Sequence, residues 1–174
     1  MVTPSNLKAI TLAGLIAVGL LVQAILSHAA GSETLTVAGG CFWCVEADFE
    51  KVKGVKGAVS GFAGGKKENP TYKQVTSGGT GHYEAVQITF DPAVVSADTL
   101  LDLFFRSVDP TDAGGQFCDR SDSYRIAIFA TDSQIAVAEQ AKAKAQSDLG
   151  KKIVTPVLGE TKFYPAEAYH QDYA

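Results

Sequence analysis

Thr34 to Ala38 alternates, with Leu35 and Val37 on one face, and this predicts a first strand. Gly39-Gly40 breaks the pattern, and Phe42 to about Lys51 reads as a short helix ended by Gly54. Val55 to Gly64 is β-branched and small, a second strand, and a loop rich in Gly, Lys, Asn and Pro follows it. Tyr72 to Thr76 fits one helical turn, and Gly78-Gly79-Thr80-Gly81 is a tight loop. Tyr83 to Phe90 alternates and stops at Asp91-Pro92, a strand with a clear end.

Ser96 is placed as a helix cap, with Leu100, Leu101, Phe104 and Val108 at helical spacing behind it. Val108 to Ser123 has no period and holds Gly114-Gly115, Cys118 and four aspartates, which predicts a functional loop. Tyr124 to Ala130 is expected to be a strand, with Tyr124 on the face of Ile126 and Ile128. Asp132 to Leu149 is an Ala-rich helix with Ile135, Ala138, Ala145 and Leu149 inward and Gly150 past its end. Ile153 to Leu158 is a last short strand, and Phe163 to Ala174 is an irregular C-terminal tail. The order predicts an α+β domain, a mixed β-sheet with packed helices in a two-layer, ferredoxin-like (α/β plait) arrangement.

Residues 1–29 differ from the rest. Ala9 to Leu26 is almost wholly apolar, Lys8 supplies a thin positive start, and Ser27-His28-Ala29 has the small residues of a cleavage site. This predicts a signal peptide, with an uncleaved anchor as the alternative, and a single catalytic domain over 30–174. Either way the domain is expected to be exported, to the periplasm, where thiols tend to pair. Hydrophobic residues are 46% and charged residues 20%, ordinary for a globular domain, and a net charge of −4 gives no reason to expect nucleic acid.

Chemistry concentrates at Cys41-Phe42-Trp43-Cys44. A Cys at a helix start sits beside unpaired N–H groups, which are expected to lower its pKa. Cys44 lies one helical turn on, within disulfide reach. A purely structural bridge over so short a loop would stabilise little. Zinc held by Cys41, Cys44 and Cys118 with His82 or His170 lacks a second close-spaced pair, so no metal is expected. Glu84 shares the parity of Val86, Ile88 and Phe90, so its carboxyl is expected to be buried and protonated, unless it turns to solvent at the strand's first residues. Cys118 lies in a polar loop beside Asp119 and Arg120, which favours a redox role over an inert one.

These residues resemble the type A peptide methionine sulfoxide reductases, over about Leu35 to Tyr173. Gly40-Cys41-Phe42-Trp43 with Glu46 is similar to the family's signature around its catalytic Cys. Asn69-Pro70-Thr71-Tyr72 with Val75, Gly78, Thr80-Gly81-His82 and Glu84 resembles a second block. Asp119 with Tyr124-Arg125, and Tyr164-Pro165-Ala166-Glu167 with Tyr169-His170-Gln171, resemble two more.

The resemblance implies that Cys41 attacks the sulfur of a methionine S-sulfoxide, free or in a protein. Phe42 and Trp43 would hold the methyl group. Glu84 would protonate the oxygen, helped by the hydroxyls of Tyr72 and Tyr124. Asp119 would contact the substrate backbone, with His170 and Glu167 supporting the site. A thioredoxin-like dithiol would restore the enzyme, without a cofactor. The chain departs from the commoner pattern at Cys44, where Gly is frequent, and at Cys118, where Asn is usual. Ser121 also stands at a frequent Gly, and no Cys follows Cys118. Cys44 and Cys118 therefore both stand as candidates for the resolving thiol. A thioredoxin-like disulfide oxidoreductase is the rival reading, and the domain is expected to be a monomer that meets the membrane only through its N-terminal segment.

Overall fold

The computed structural model describes residues 31–174, and the expected leader lies outside them. The chain runs β1 (Glu33–Gly39), α1 (Phe42–Glu50), β2 (Val55–Ala63), α2 (Tyr72–Thr76), β3 (Tyr83–Phe90), α3 (Ala97–Ser107), β4 (Ile126–Ala130), α4 (Ile135–Leu149), β5 (Val157–Gly159) and β6 (Tyr164–Pro165). Two single-turn 3-10 helices, Asp122–Tyr124 and Ala168–His170, flank β4 and close the tail. No described helix is long and apolar enough to cross a membrane.

The six strands form one mixed sheet in the order β5-β4-β1-β3-β2-β6. Every pairing is antiparallel except β4 with β5, so the domain is α+β as expected. Among the inner four strands β1 leads through α1 to β2 past β3, β3 leads through α3 to β4 past β1, and β2 leads through the α2 segment to its neighbour β3.

Alternation divides the sheet into two faces. Leu35, Val37, Val86, Ile88, Ile126 and Ile128 face the helices and pack with Phe49 of α1 and Leu100, Leu101 and Phe104 of α3. Ala38, Ala63, Ala85, Ala127 and Phe129 face the other way, covered by Tyr83, Leu158 and Phe163 rather than by a helix. The α3 helix forms because Ser96 accepts the Thr99 N–H at 3.2 Å, and its buried residues recur at helical spacing.

Four expectations are corrected. Tyr124 is not in β4, because residues 122–124 coil into a 3-10 turn and the strand begins at Ile126. In α4 Ile135 and Leu149 are exposed, because the stripe that meets the core is buried Ala138 and Ala141 with half-buried Val137 and Ala145. The last predicted strand is shorter: β5 covers Val157–Gly159, and of the preceding residues 153–156 Pro156 reaches β4 by accepting the Ile128 N–H at 3.0 Å. The tail is not wholly irregular, since Tyr164 and Pro165 pair with Phe62 and Gly61 as edge strand β6.

Candidate active site

Cys41 is the N-cap of α1, reached through Gly40 at φ +85°. A side chain at position 40 would also sit 2.6 Å from the Gln116 Cβ, so glycine is required twice over. The first free amide of the helix, the Phe42 N–H, donates to the Glu84 carboxylate at 3.2 Å.

The Cys41 thiol does not behave as a bare helix-start argument predicts. Burial pushes its pKa up to about 11, although the Cys44 and Trp43 amides pull the other way. Desolvation wins, and the resting side chain is a thiol.

Glu84 is 1% exposed and lies on the helix-facing side of β3, paired in register with Phe62. Its Oε1 has no hydrogen-bond partner. Burial pushes its pKa up to about 7, against the Phe42 amide, and the Asp119 charge adds to the rise. Burial first, then the Glu84 charge, holds the phenols of Tyr72 and Tyr124 above their ordinary range, so both keep their protons.

Aromatic rings wall the other side. Tyr72 stacks near Phe42 and Trp43 at 5.9 and 6.0 Å between centroids. His170 lies 4.3 Å from Tyr72 and 5.5 Å from Trp43, and Tyr173 stacks on Trp43 at 4.2 Å. His170 is 3% exposed with neither ring nitrogen hydrogen-bonded, and burial lowers its pKa despite Glu167 nearby. It is a neutral aromatic wall. Glu167 accepts the Tyr72 N–H at 3.2 Å and so fixes the start of α2.

All three cysteines are free thiols. They open onto one cavity of about 220 Å³, with Gln116, Phe117 and Asp119 also in its lining. The tight turn Gln116–Asp119 closes on two backbone bonds of 2.9 Å and carries Cys118 at its exposed tip. Buried Gln116 pins it by accepting the Asp109 N–H at 2.7 Å and donating to the carbonyls of Asp109 and Gly115.

The fold thus gathers Cys41, Phe42, Trp43, Tyr72, Glu84, Tyr124, Glu167 and His170 in one neighbourhood. Cys44, Cys118 and Asp119 join Cys41 at the adjoining cavity. Three residues that hold the site had no role in the sequence reading, although Glu46 and Gln171 stand in its motif blocks. Glu46, buried on α1, accepts the Ser60 N–H at 2.9 Å, the Ser60 hydroxyl and the Asp172 N–H. Gln171 bonds both backbone groups of Ser60, at 2.9 and 3.0 Å, and Tyr173 covers Trp43. A Glu among Phe42, Val45 and Phe49 on the inner face of α1 was the signal for the first.

His82 cannot join the thiols as a metal donor while its ring nitrogens engage the Lys67 carbonyl and the Gly65 N–H. Glu46, Glu50 and Asp172 do bring carboxylate oxygens within 4.8 Å of one another, but Glu46 is already satisfied by Ser60 and the tail.

An α+β scaffold that sets a cysteine cluster beside a buried, proton-holding carboxyl defines a thiol-dependent oxidoreductase. The family model described as peptide methionine sulfoxide reductase matches residues 33–174. Peptide methionine sulfoxide reductase MsrA 2 of Rhizobium meliloti is 51% identical over 148 residues, covering 84% of this chain and 74% of that protein. The reduced form of Mxr1 from Saccharomyces cerevisiae superposes with a TM-score of 0.77 at 33% identity, over 83% of this chain and 85% of that one. Mxr1 in complex with Trx2 matches at a TM-score of 0.57 and 27% identity, over 84% and 87%. The chain belongs to the type A peptide methionine sulfoxide reductase family, and is an enzyme that reduces the S-sulfoxide of methionine. The thioredoxin-like oxidoreductase alternative gives way to this membership.

Proposed function

We propose that the Cys41 thiol attacks the sulfoxide sulfur while Glu84 delivers its proton to the oxygen. Sulfoxide oxygen leaves poorly until protonated, and a carboxyl with a pKa of about 7 is both present as the acid and willing to give its proton near neutral pH. As the bond between the Cys41 Sγ and the substrate sulfur forms, the thiol proton passes to the Glu84 carboxylate. The hydroxyl then moves from the substrate sulfur to Sγ while that sulfur–sulfur bond breaks, and its electron pair stays on the methionine sulfur, which is thereby reduced. Methionine leaves, and Cys41 is a sulfenic acid. Keeping Cys41 as a thiol until substrate arrives fits its raised pKa, since activation then comes from protonation of the substrate.

Phe42, Trp43 and Tyr72 form the apolar seat for the substrate methyl group, with His170 as a neutral backing. The Tyr72 and Tyr124 hydroxyls hydrogen-bond the oxygen, and Asp119 holds the substrate backbone. Cys44 then condenses with the sulfenic acid, expelling water and leaving a Cys41–Cys44 disulfide. Cys44 stands one helical turn from Cys41, whereas Cys118, equally exposed on the same cavity, is carried by the pinned 116–119 turn, and this supports Cys44 as the first partner. A thioredoxin-like dithiol reduces that disulfide and is itself oxidised, as the Trx2 complex of Mxr1 suggests by analogy. The apolar leader supports an exported, periplasmic enzyme that repairs oxidised proteins there.

The observation that carries this reading is the single hydrogen bond tying Glu84 to the helix that begins at Cys41. Its test is one turnover without reductant. Cys41→Ser should form no methionine, because a hydroxyl stays unionised and attacks sulfur poorly. Appreciable methionine from that variant would remove Cys41 from the attacking role.

A further inference from the structure

Lined in part by α2, whose first residue Tyr72 belongs to the aromatic wall, lies an open groove of about 660 Å³ that the chemistry above does not use. Lys66, Lys67 and Lys73 line it with Gln74, Ser77 and Thr80, and no carboxylate is among its lining residues. Ion pairs satisfy other lysines: Lys56 meets Asp91, and Lys144 meets Asp102 and Asp148. Among the described residues the three groove lysines have no such partner. A chain of net charge −4 thus gathers three uncompensated cations in one concavity.

The groove has a built wall. The Lys66 N–H donates to the Thr80 carbonyl at 3.2 Å, His82 holds the Lys67 carbonyl at 2.8 Å, and Gly65 donates to the other His82 nitrogen at 3.1 Å. These bonds clip the loop after β2 to the loop before β3. His82 is itself buried, so the clip is shielded from water.

We propose that this groove binds acidic residues flanking the methionine sulfoxide in a polypeptide substrate. The inference deepens the reading of the site given above and rests on it. Tyr72 of the aromatic wall and Lys73 of the groove are consecutive residues of α2. A peptide whose sulfoxide meets Tyr72 therefore passes the lysines within a few residues. An extended chain advances about 3.3 Å per residue, so acids about two to five positions from the sulfoxide come into range.

The test uses peptides with one central methionine sulfoxide and flanks of Glu, Ser or Lys, beside N-acetyl-methionine sulfoxide amide. Dithiothreitol serves as reductant, so protein docking to the thiols does not enter. Exposed charge pairs are individually weak, and three together should favour the Glu-flanked peptide over the Ser-flanked one by about tenfold in kcat/KM at low salt. High ionic strength should erase the preference. The Lys66→Ser, Lys67→Ser, Lys73→Ser triple variant should lose it while reducing the small sulfoxide at the wild-type rate. The corresponding triple Lys→Glu variant should prefer Lys flanks. A triple Ser variant that keeps the preference overturns the assignment, as does a wild-type enzyme indifferent to flanking charge yet active on the small sulfoxide. A wild-type enzyme inactive on the small sulfoxide overturns the underlying chemistry, and the groove assignment with it.

Discussion

Glu84, proposed as the acid, would couple catalysis to stability at the scale of one residue. Its pKa moves from an ordinary 4.5 to about 7 on folding, chiefly through burial. The folded state therefore holds the proton more tightly than the unfolded chain. That advantage is complete below pH 4.5 and declines as pH rises through about 7, a loss of about 3 kcal/mol across the window. Glu84→Gln, which cannot ionise, should gain stability on the wild type as pH climbs from 5 to 8, read by urea unfolding at each pH. The same variant should slow sulfenic acid formation by about 10²–10⁴-fold at neutral pH with little change in substrate binding. Wild-type single-turnover rates should fall as pH passes about 7, and a flat profile would show that Glu84 is not the acid. Strand alternation made this residue legible in the sequence, because a Glu in register with Val86 and Ile88 has few places to go. Cys41 was legible as the candidate nucleophile but not as a high-pKa thiol. Its burial comes from packing that lies far along the chain, which local helix-start logic does not contain.

At the scale of elements, the site depends on how α1 is held. Glu46 binds β2 and the C-terminal tail to the helix that carries Cys41, Phe42 and Trp43. Glu46→Gln would turn an amide donor against one of the backbone N–H groups it now satisfies. The expected cost is about 2–4 kcal/mol, seen as a lower Tm, with a raised KM as the tail loosens. An unchanged Tm would mean the strap carries no strength. Gly40→Ala tests the other end of the same element. Positive φ and the contact with Gln116 together should cost about 1–3 kcal/mol and push the 116–119 turn away from Cys41. Circular dichroism melts and the alkylation rate of Cys41 report the two effects separately. Most elements announced themselves by period and punctuation. Strand β6 did not, since two residues have no period, and it exists only because the tail meets the edge of β2. The expected face of α4 holds at Ala138 and Ala145 but not at Ile135 and Leu149, because alanines, small enough for close approach, do the packing.

For the whole molecule, the three free thiols face a common cavity, and the proposed chemistry makes them one redox unit. Peptide mapping after one turnover should find Cys41 joined to Cys44. In Cys44→Ser the bridge should pass to Cys118 more slowly, as the pinned 116–119 turn has to move. A dominant Cys41–Cys118 bridge in the wild type would reverse that order. Outside the described residues, the leader is expected to be removed near Ala30, and mass spectrometry of exported protein measures it directly. Intact Met1 in a membrane fraction would favour an anchor instead. Trp43 is the only tryptophan in the chain. It stands in the aromatic wall with Tyr173 stacked on it and its indole N–H buried without a partner. Every photon of tryptophan emission from this protein therefore originates within the catalytic neighbourhood. Docking of a substrate, departure of the tail ring and closure of a bridge next to the indole should each alter its brightness or colour. The enzyme carries its own optical gauge, and its turnover can be timed in a stopped-flow instrument without a label.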